Sequence, residues 1–138
     1  MAEIWPNEGL KHLLNVFPRN LIAIPSSLTL SAFSSQSATT VMGTAETFAN
    51  VTACAYSGYQ NATLGSATWG APSATGGTVT CSYAQQNMGT AGAAGTANGF
   101  YIHNAGTVLC QANFDDLTAV VLQANDVLKI TPTIGFSG

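Results

Sequence analysis

Three sets of side chains in this sequence are capable of chemistry: the histidines His12 and His103, the acids Asp115, Asp116 and Asp126, and the cysteines Cys54, Cys81 and Cys110. The histidines stand far apart, with no H-E-x-x-H or carboxylate motif around either. Both therefore read as solvent-facing or structurally hydrogen-bonded rings rather than metal-bound or activated ones. Asp115-Asp116 with Asp126 could bring carboxylates to one end of a β-meander and offer oxygens to Ca²⁺. Acids at turn starts more often accept local backbone N–H groups, and the EF-hand pattern is missing, so no metal is expected. A hydrolase would need two converging carboxylates, and only these three acids lie close in sequence. The cysteines are odd in number and widely spaced, which fits neither a disulfide framework nor a zinc site. They read as buried thiols acting as small apolar residues, with a cross-strand Cys81–Cys110 bridge as the lesser alternative.

Phosphate and acyl chemistry find no better support. The run from Gly89 to Gly95 lacks G-x-x-x-x-G-K-[ST] and has no basic residue nearby. Ser57-Gly58 and Trp69-Gly70 lack the G-x-S-x-G elbow. The expectation is a chain that is not an enzyme, with no catalytic residue, no metal and no cofactor. Tyr56, Tyr59 and Tyr101, with Trp69 and Tyr83, could stack sugars as lectin-like sandwiches do. Large aromatics serve burial more often, and the same spacing suits core packing.

Composition points to association. Charged residues are 7% of 138, against about 25% in an ordinary soluble domain. Little electrostatic repulsion keeps copies apart, which favours binding to itself or to a scaffold. Lys11, Arg19 and Lys129 are too few and too scattered to neutralise a run of phosphates, so nucleic-acid binding is not expected. No stretch approaches the roughly 20 consecutive apolar residues that cross a bilayer. Met1 to Pro6 offers no basic n-region and no apolar h-region, so a soluble chain made in the cytosol is expected. Without an export signal, the acceptor patterns Asn50-Val51-Thr52 and Asn61-Ala62-Thr63 read as accidental.

The elements that must position these residues read as mostly strands. Leu10, Leu13, Leu14 and Phe17 recur at the spacing of one helical face, with Asn7 as N-cap and Pro18 past the end. So short a helix must dock its stripe on the sheet or on a neighbouring subunit. Leu28 to Phe33 reads as a first strand, Ser34 to Thr40 as a polar loop, and Phe48 to Leu64 as one to three strands broken at Ser57-Gly58. Ser73 to Gly77 reads as a flexible turn before a strand at Thr78 to Tyr83, and Trp69 as mostly buried. Gln85 to Asn98 is either a mobile loop or a flat strand that admits a neighbouring backbone. Phe100–His103, Val108–Phe114, Leu117–Gln123 and Asp126–Ile134 read as a four-stranded antiparallel meander. The fold class expected is all-β, an antiparallel β-sandwich or jelly roll with one short N-terminal helix. An N-terminal segment, 1–24, precedes a sandwich domain, 25–138.

With Asn7-Glu8-Gly9-Leu10-Lys11 and Leu13-Leu14-Asn15 near the start, Leu28 to Phe33 as first strand, and Gly99 to Ile102 and Asn125 to Pro132 at the end, the chain resembles small structural proteins of tailed bacteriophages. These are virion, capsid decoration or cement proteins. The likeness covers both ends and leaves the middle weakly matched. The position before Asp126 is usually glycine in that pattern, and Asn125 can still supply a positive φ there. The resemblance implies a capsid decoration protein on the outer face of a shell in the virion, partnered by copies of itself, commonly as a homotrimer, and by the major capsid protein. Tail fibre or baseplate placement, with a receptor- or carbohydrate-binding role through Tyr56, Tyr59 and Tyr101, is the alternative. The expected contacts are Leu10, Leu13, Leu14 and Phe17 within Met1 to Phe17, with the loops Ser34 to Thr40 and Gln85 to Ala97.

Overall fold

A computed structural model describes residues 5–19, 23–35, 47–114 and 119–137. One helix, α1 (Asn7–Val16), precedes the strands β1 (Ser27–Ser35), β2 (Thr52–Ala53), β3 (Ala62–Gly65), β4 (Ser73–Thr75), β5 (Thr78–Ser82) and β6 (Gln86–Thr90). There follow β7 (Gly95–Ala97), β8 (Gly99–Asn104), β9 (Thr107–Asn113), β10 (Val120–Leu122), β11 (Val127–Ile130) and β12 (Thr133–Ser137). The chain is all-β with a single short helix among the described residues, as its alternating patterns predict.

The C-terminal meander is not what forms. Within that stretch only β8 and β9 pair as sequence neighbours; β10 pairs with β7, β11 with β6 and β12 with β5, all antiparallel. The expected strand 126–134 is divided at Thr131-Pro132, and its second part, β12, returns to β5. The pairs are nested around the β8–β9 hairpin, so the strands β5 to β12 make one long antiparallel ribbon folded on itself. Periodicity shows where a strand lies but not which distant strand completes its ladder.

At the centre of the largest sheet, β1 lies between β8 on one side and β2 and β3 on the other. Its middle is buried on both faces: Leu30, Ser31, Ala32 and Phe33 are all inaccessible. Leu30 and Ala32 face a main core shared with Leu64, Met88, Ile102, Leu122, Leu128 and Ile130, which draws on every sheet except that of β12, β5 and β4. Ile134 of β12 packs against the same core. Phe33 joins Tyr101 and Val108 in a second cluster. Strands of two or three residues cannot hold themselves in water: β7 and β10 are fixed by Ala97 and Leu122 in the main core and β2 by Ala53 against the second cluster, while β4 is exposed along its length and is held by pairing with β5.

The gap between β2 and β3 along β1 is closed by a side chain. The Ala32 N–H donates to Tyr59 Oη at 2.7 Å, while the Ala32 carbonyl accepts from Cys54 N at 2.9 Å. No ladder group of Ala32 is left orphaned.

The glycine-rich stretch takes the second of its two sequence readings, a close backbone crossing. Gly58 and Gly89 both have positive φ, and a Cβ on either would overlap backbone of the other's strand. Gly95 lies equally close under the Tyr56 ring. Further corrections are local. Ser73–Thr75 is a strand, with the turn confined to Gly76-Gly77. Trp69 is half-buried and meets Tyr83 edge-on at 5.3 Å. Ser34 and Ser35 belong to β1, and the rest of the loop expected at 34–40 lies outside the described residues.

Candidate interaction face

The helix begins at Pro6 rather than at an Asn7 cap: the Pro6 carbonyl accepts from Leu10 N at 3.0 Å, and no side chain caps the first turn. Proline suits a helix start because its missing N–H would be unsatisfied there. Glu8 then does the anchoring. Its Oε1 accepts from Val108 N at 2.7 Å and from Phe48 N at 2.9 Å. Gly9 is buried against the β9 backbone, where a Cβ would overlap the carbonyl oxygens of Val108 and Leu109. One turn of helix thus covers the outer edge of β9, which would otherwise present open N–H and C=O groups.

Of the two dockings expected for the apolar stripe, on the sheet or on a neighbouring subunit, most of it does not take the first. Gly9 and Val16, two turns apart, face the body. Leu10, Leu14 and Phe17 face water at 41%, 58% and 68% exposure, while Leu13 is half-buried. The physical reason is the close backbone approach at β9, which a leucine face cannot make and a glycine can.

Beneath the helix lies a cavity of about 170 Å³, walled almost entirely by carbon. Trp5, Leu13, Val16 and Phe17 line it from the helix side, Ile24 and Pro25 from the connector, and Leu28, Leu109 and Ile134 from β1, β9 and β12. Trp5 Nε1 and His12 Nε2 are buried nearby without a hydrogen-bond partner. His12 is half-buried, and its enclosed Nε2 is neither of the states expected for the ring, being turned from solvent and without a hydrogen-bond partner. The apolar surface continues past the cavity. Ile24 is 72% exposed, and Phe136 stacks on Trp5 at 4.7 Å while remaining 47% exposed opposite Val79. Large apolar side chains contiguous on a surface mark a contact site, whereas scattered ones do not.

Sequence reading reached Leu10, Leu13, Leu14 and Phe17 and missed Trp5, Ile24, Val79 and Phe136. Ile24 sits in a connector before Pro25, and Phe136 lies two residues beyond the expected end of the last strand.

The remaining candidates are dispersed. Tyr56 and Tyr59 meet edge-on at 5.3 Å and pack against the main core, whereas Tyr101 is 4% exposed in the second cluster. The three do not share an open platform, because burial of the phenols took precedence over display. Burial raises the pKa of each, partly opposed at Tyr59 by the hydrogen bond from Ala32 N and then by Ser31, and at Tyr101 by Ser31. Ser31 Oγ lies 3.0 Å from His103 Nε2. That is the spacing of a nucleophile and its base, yet Ser31 is wholly enclosed and offers no substrate an approach. His103 is the structurally bonded ring that its context predicts.

Asp126 Oδ2 accepts from Gln123 N at 2.7 Å, the local turn bond expected of such an acid, and Asn125 holds φ at 74°. Asp115 and Asp116 lie outside the described residues. Among the described residues no three of His, Cys, Asp or Glu gather in one place, and no helix is long and apolar enough to cross a membrane. Cys81 and Cys110 do not bridge. Cys54 and Cys110 are buried as expected, while Cys81 is half-exposed with its thiol donating to the Gly70 carbonyl at 3.0 Å.

Compared with family models, curated proteins and solved structures, the chain has no match.

Proposed function

We propose that this chain is a structural protein of a viral particle, a capsid decoration protein that binds the assembled shell through the face around α1. The observation that carries the reading is the apolar continuity of that face, from Leu14 and Phe17 across the cavity and Ile24 to Trp5 and Phe136. Such a surface in a chain with so few charges favours permanent contact over solitary life in water.

The ends of the chain, which carry its likeness to phage decoration proteins, have physical roles consistent with that use. Glu8 and Gly9 seat the helix, and Leu10, Leu14 and Phe17 are what the seating presents. The nested ribbon also supports a jelly-roll reading of the body, since jelly rolls are such double-layered antiparallel folds. The partners in this proposal are the major capsid protein and further copies of this chain, three to a cluster. Binding only the assembled shell would stabilise that state by mass action.

Electron cryomicroscopy of virions from the genome that encodes the chain should show it on the outer face of the head. Density confined to the tail, or a particle without the chain, overturns the proposal.

A further inference from the structure

His103 sits where three parts of the molecule meet. Its Nε2 is 3.0 Å from Ser31 Oγ of β1, and its ring stacks on Tyr101 of β8 at 5.0 Å. Phe48, from the turn at residues 48–50, packs on the same ring at 5.1 Å and on Tyr101 at 6.4 Å. The backbone of that turn is tied to the helix: the Phe48 N–H donates to Glu8 Oε1, which also accepts from the edge-strand N–H of Val108. A change at the imidazole therefore reaches the start of α1 through one aromatic ring and one carboxylate oxygen.

We infer that His103 is an acid-operated latch, whose neutral ring seats Phe48 and, through Glu8, the first turn of α1, and whose protonation unseats them. The inference does not depend on what α1 contacts. Among the described residues, the groups facing the ring are the Ser31 hydroxyl, the Tyr101 phenol and the Phe48 ring, with the Tyr59 phenol beyond Ser31. None is a carboxylate that could pair with an imidazolium. Glu8, the one acid in the network, already serves two backbone N–H groups.

A charge on the half-buried ring thus costs desolvation without an ion pair among the described residues in return. Attraction to the rings of Tyr101 and Phe48 offsets only part of this. In the tautomer where Nε2 accepts the Ser31 proton, protonation also obliges that enclosed hydroxyl to redirect its bond. Burial lowers the His103 pKa from 6.5. The unlatched form then holds the proton more tightly, so the latch is intact above that pH and weakens as pH falls below it.

Amide exchange by NMR between about pH 7.5 and about pH 5.5, read as protection factors, tests this. The Phe48 and Val108 amides should lose protection as pH falls, beginning near pH 6.5 and levelling off once the His103 imidazole has titrated, as linkage requires of a proton held more tightly in the open form. The Cys54 amide, bonded to the Ala32 carbonyl, should not change. In His103→Gln, which keeps a hydrogen-bonding side chain without the charge, protection should hold across the range. Wild-type amides that stay protected through the titration overturn the latch. So does an equal loss in His103→Gln, which would place the effect at Glu8. If that variant does not fold, a wild-type loss of protection that begins near pH 6.5 and levels off at the His103 imidazole midpoint decides by itself.

Discussion

Single atoms settle several of the contacts described above. Gly9→Ala would drive a methyl into the carbonyl oxygens of Val108 and Leu109, both backbone and unable to yield as a side-chain tip can. A loss of about 1–3 kcal/mol is expected, measured by urea unfolding. Tyr59→Phe removes the oxygen that accepts from Ala32 N and leaves a buried N–H unpaired, at about 1–3 kcal/mol. The same phenol closes the gap between β2 and β3, so exchange at the Ala32 amide should rise more than at its neighbours. Burial pushes the Cys54 thiol up to about 11, so it carries almost no thiolate at neutral pH. A thiol reagent applied to native protein should label Cys81 first and reach Cys54 and Cys110 only after unfolding.

Among the elements, the sequence showed existence better than partnership. β1, β5, β8 and β9 were legible because alternation and turn residues are local signals. Their pairing was not, since nothing in Thr133 to Phe136 points to Val79 or Cys81, some fifty residues earlier. The helix was legible in the spacing of its leucines, yet its orientation was decided by Gly9, a residue that apolar periodicity ignores. The glycine stretch was ambiguous for the same reason: side-chain patterns cannot display a contact made by backbone. Gly89→Ala tests that contact. The residue holds φ at 91°, and its Cβ would collide with the Gly58 carbonyl, so strain and overlap together should cost more than about 1 kcal/mol. Urea unfolding of this variant beside Gly76→Ala separates the two effects, because Gly76 also has positive φ but faces open space.

At the scale of the whole molecule, stability and association should come apart. Phe17→Asp changes a side chain that is 68% exposed, so unfolding free energy should move by no more than about 0.5 kcal/mol. Binding to the proposed shell should nonetheless fall, read by co-sedimentation with heads stripped of the chain. A large loss of stability would mean that Phe17 is core and that the face has been misread. The nested ribbon bears on a different matter, the order in which the chain can assemble as it is made. The β8–β9 hairpin closes over a two-residue turn and can form as soon as residue 113 is free. β7, β6 and the second edge of β5, whose first edge already pairs with β4, must each wait for a later partner, and the edge of β5 waits longest, until residues 133–137 have been synthesised. Folding should therefore run outward from the hairpin like a zip, slowly for a chain of this size because its contacts are long-range. Until the last strand arrives, β5 and the apolar residues behind it stand open to chaperones and to other nascent chains.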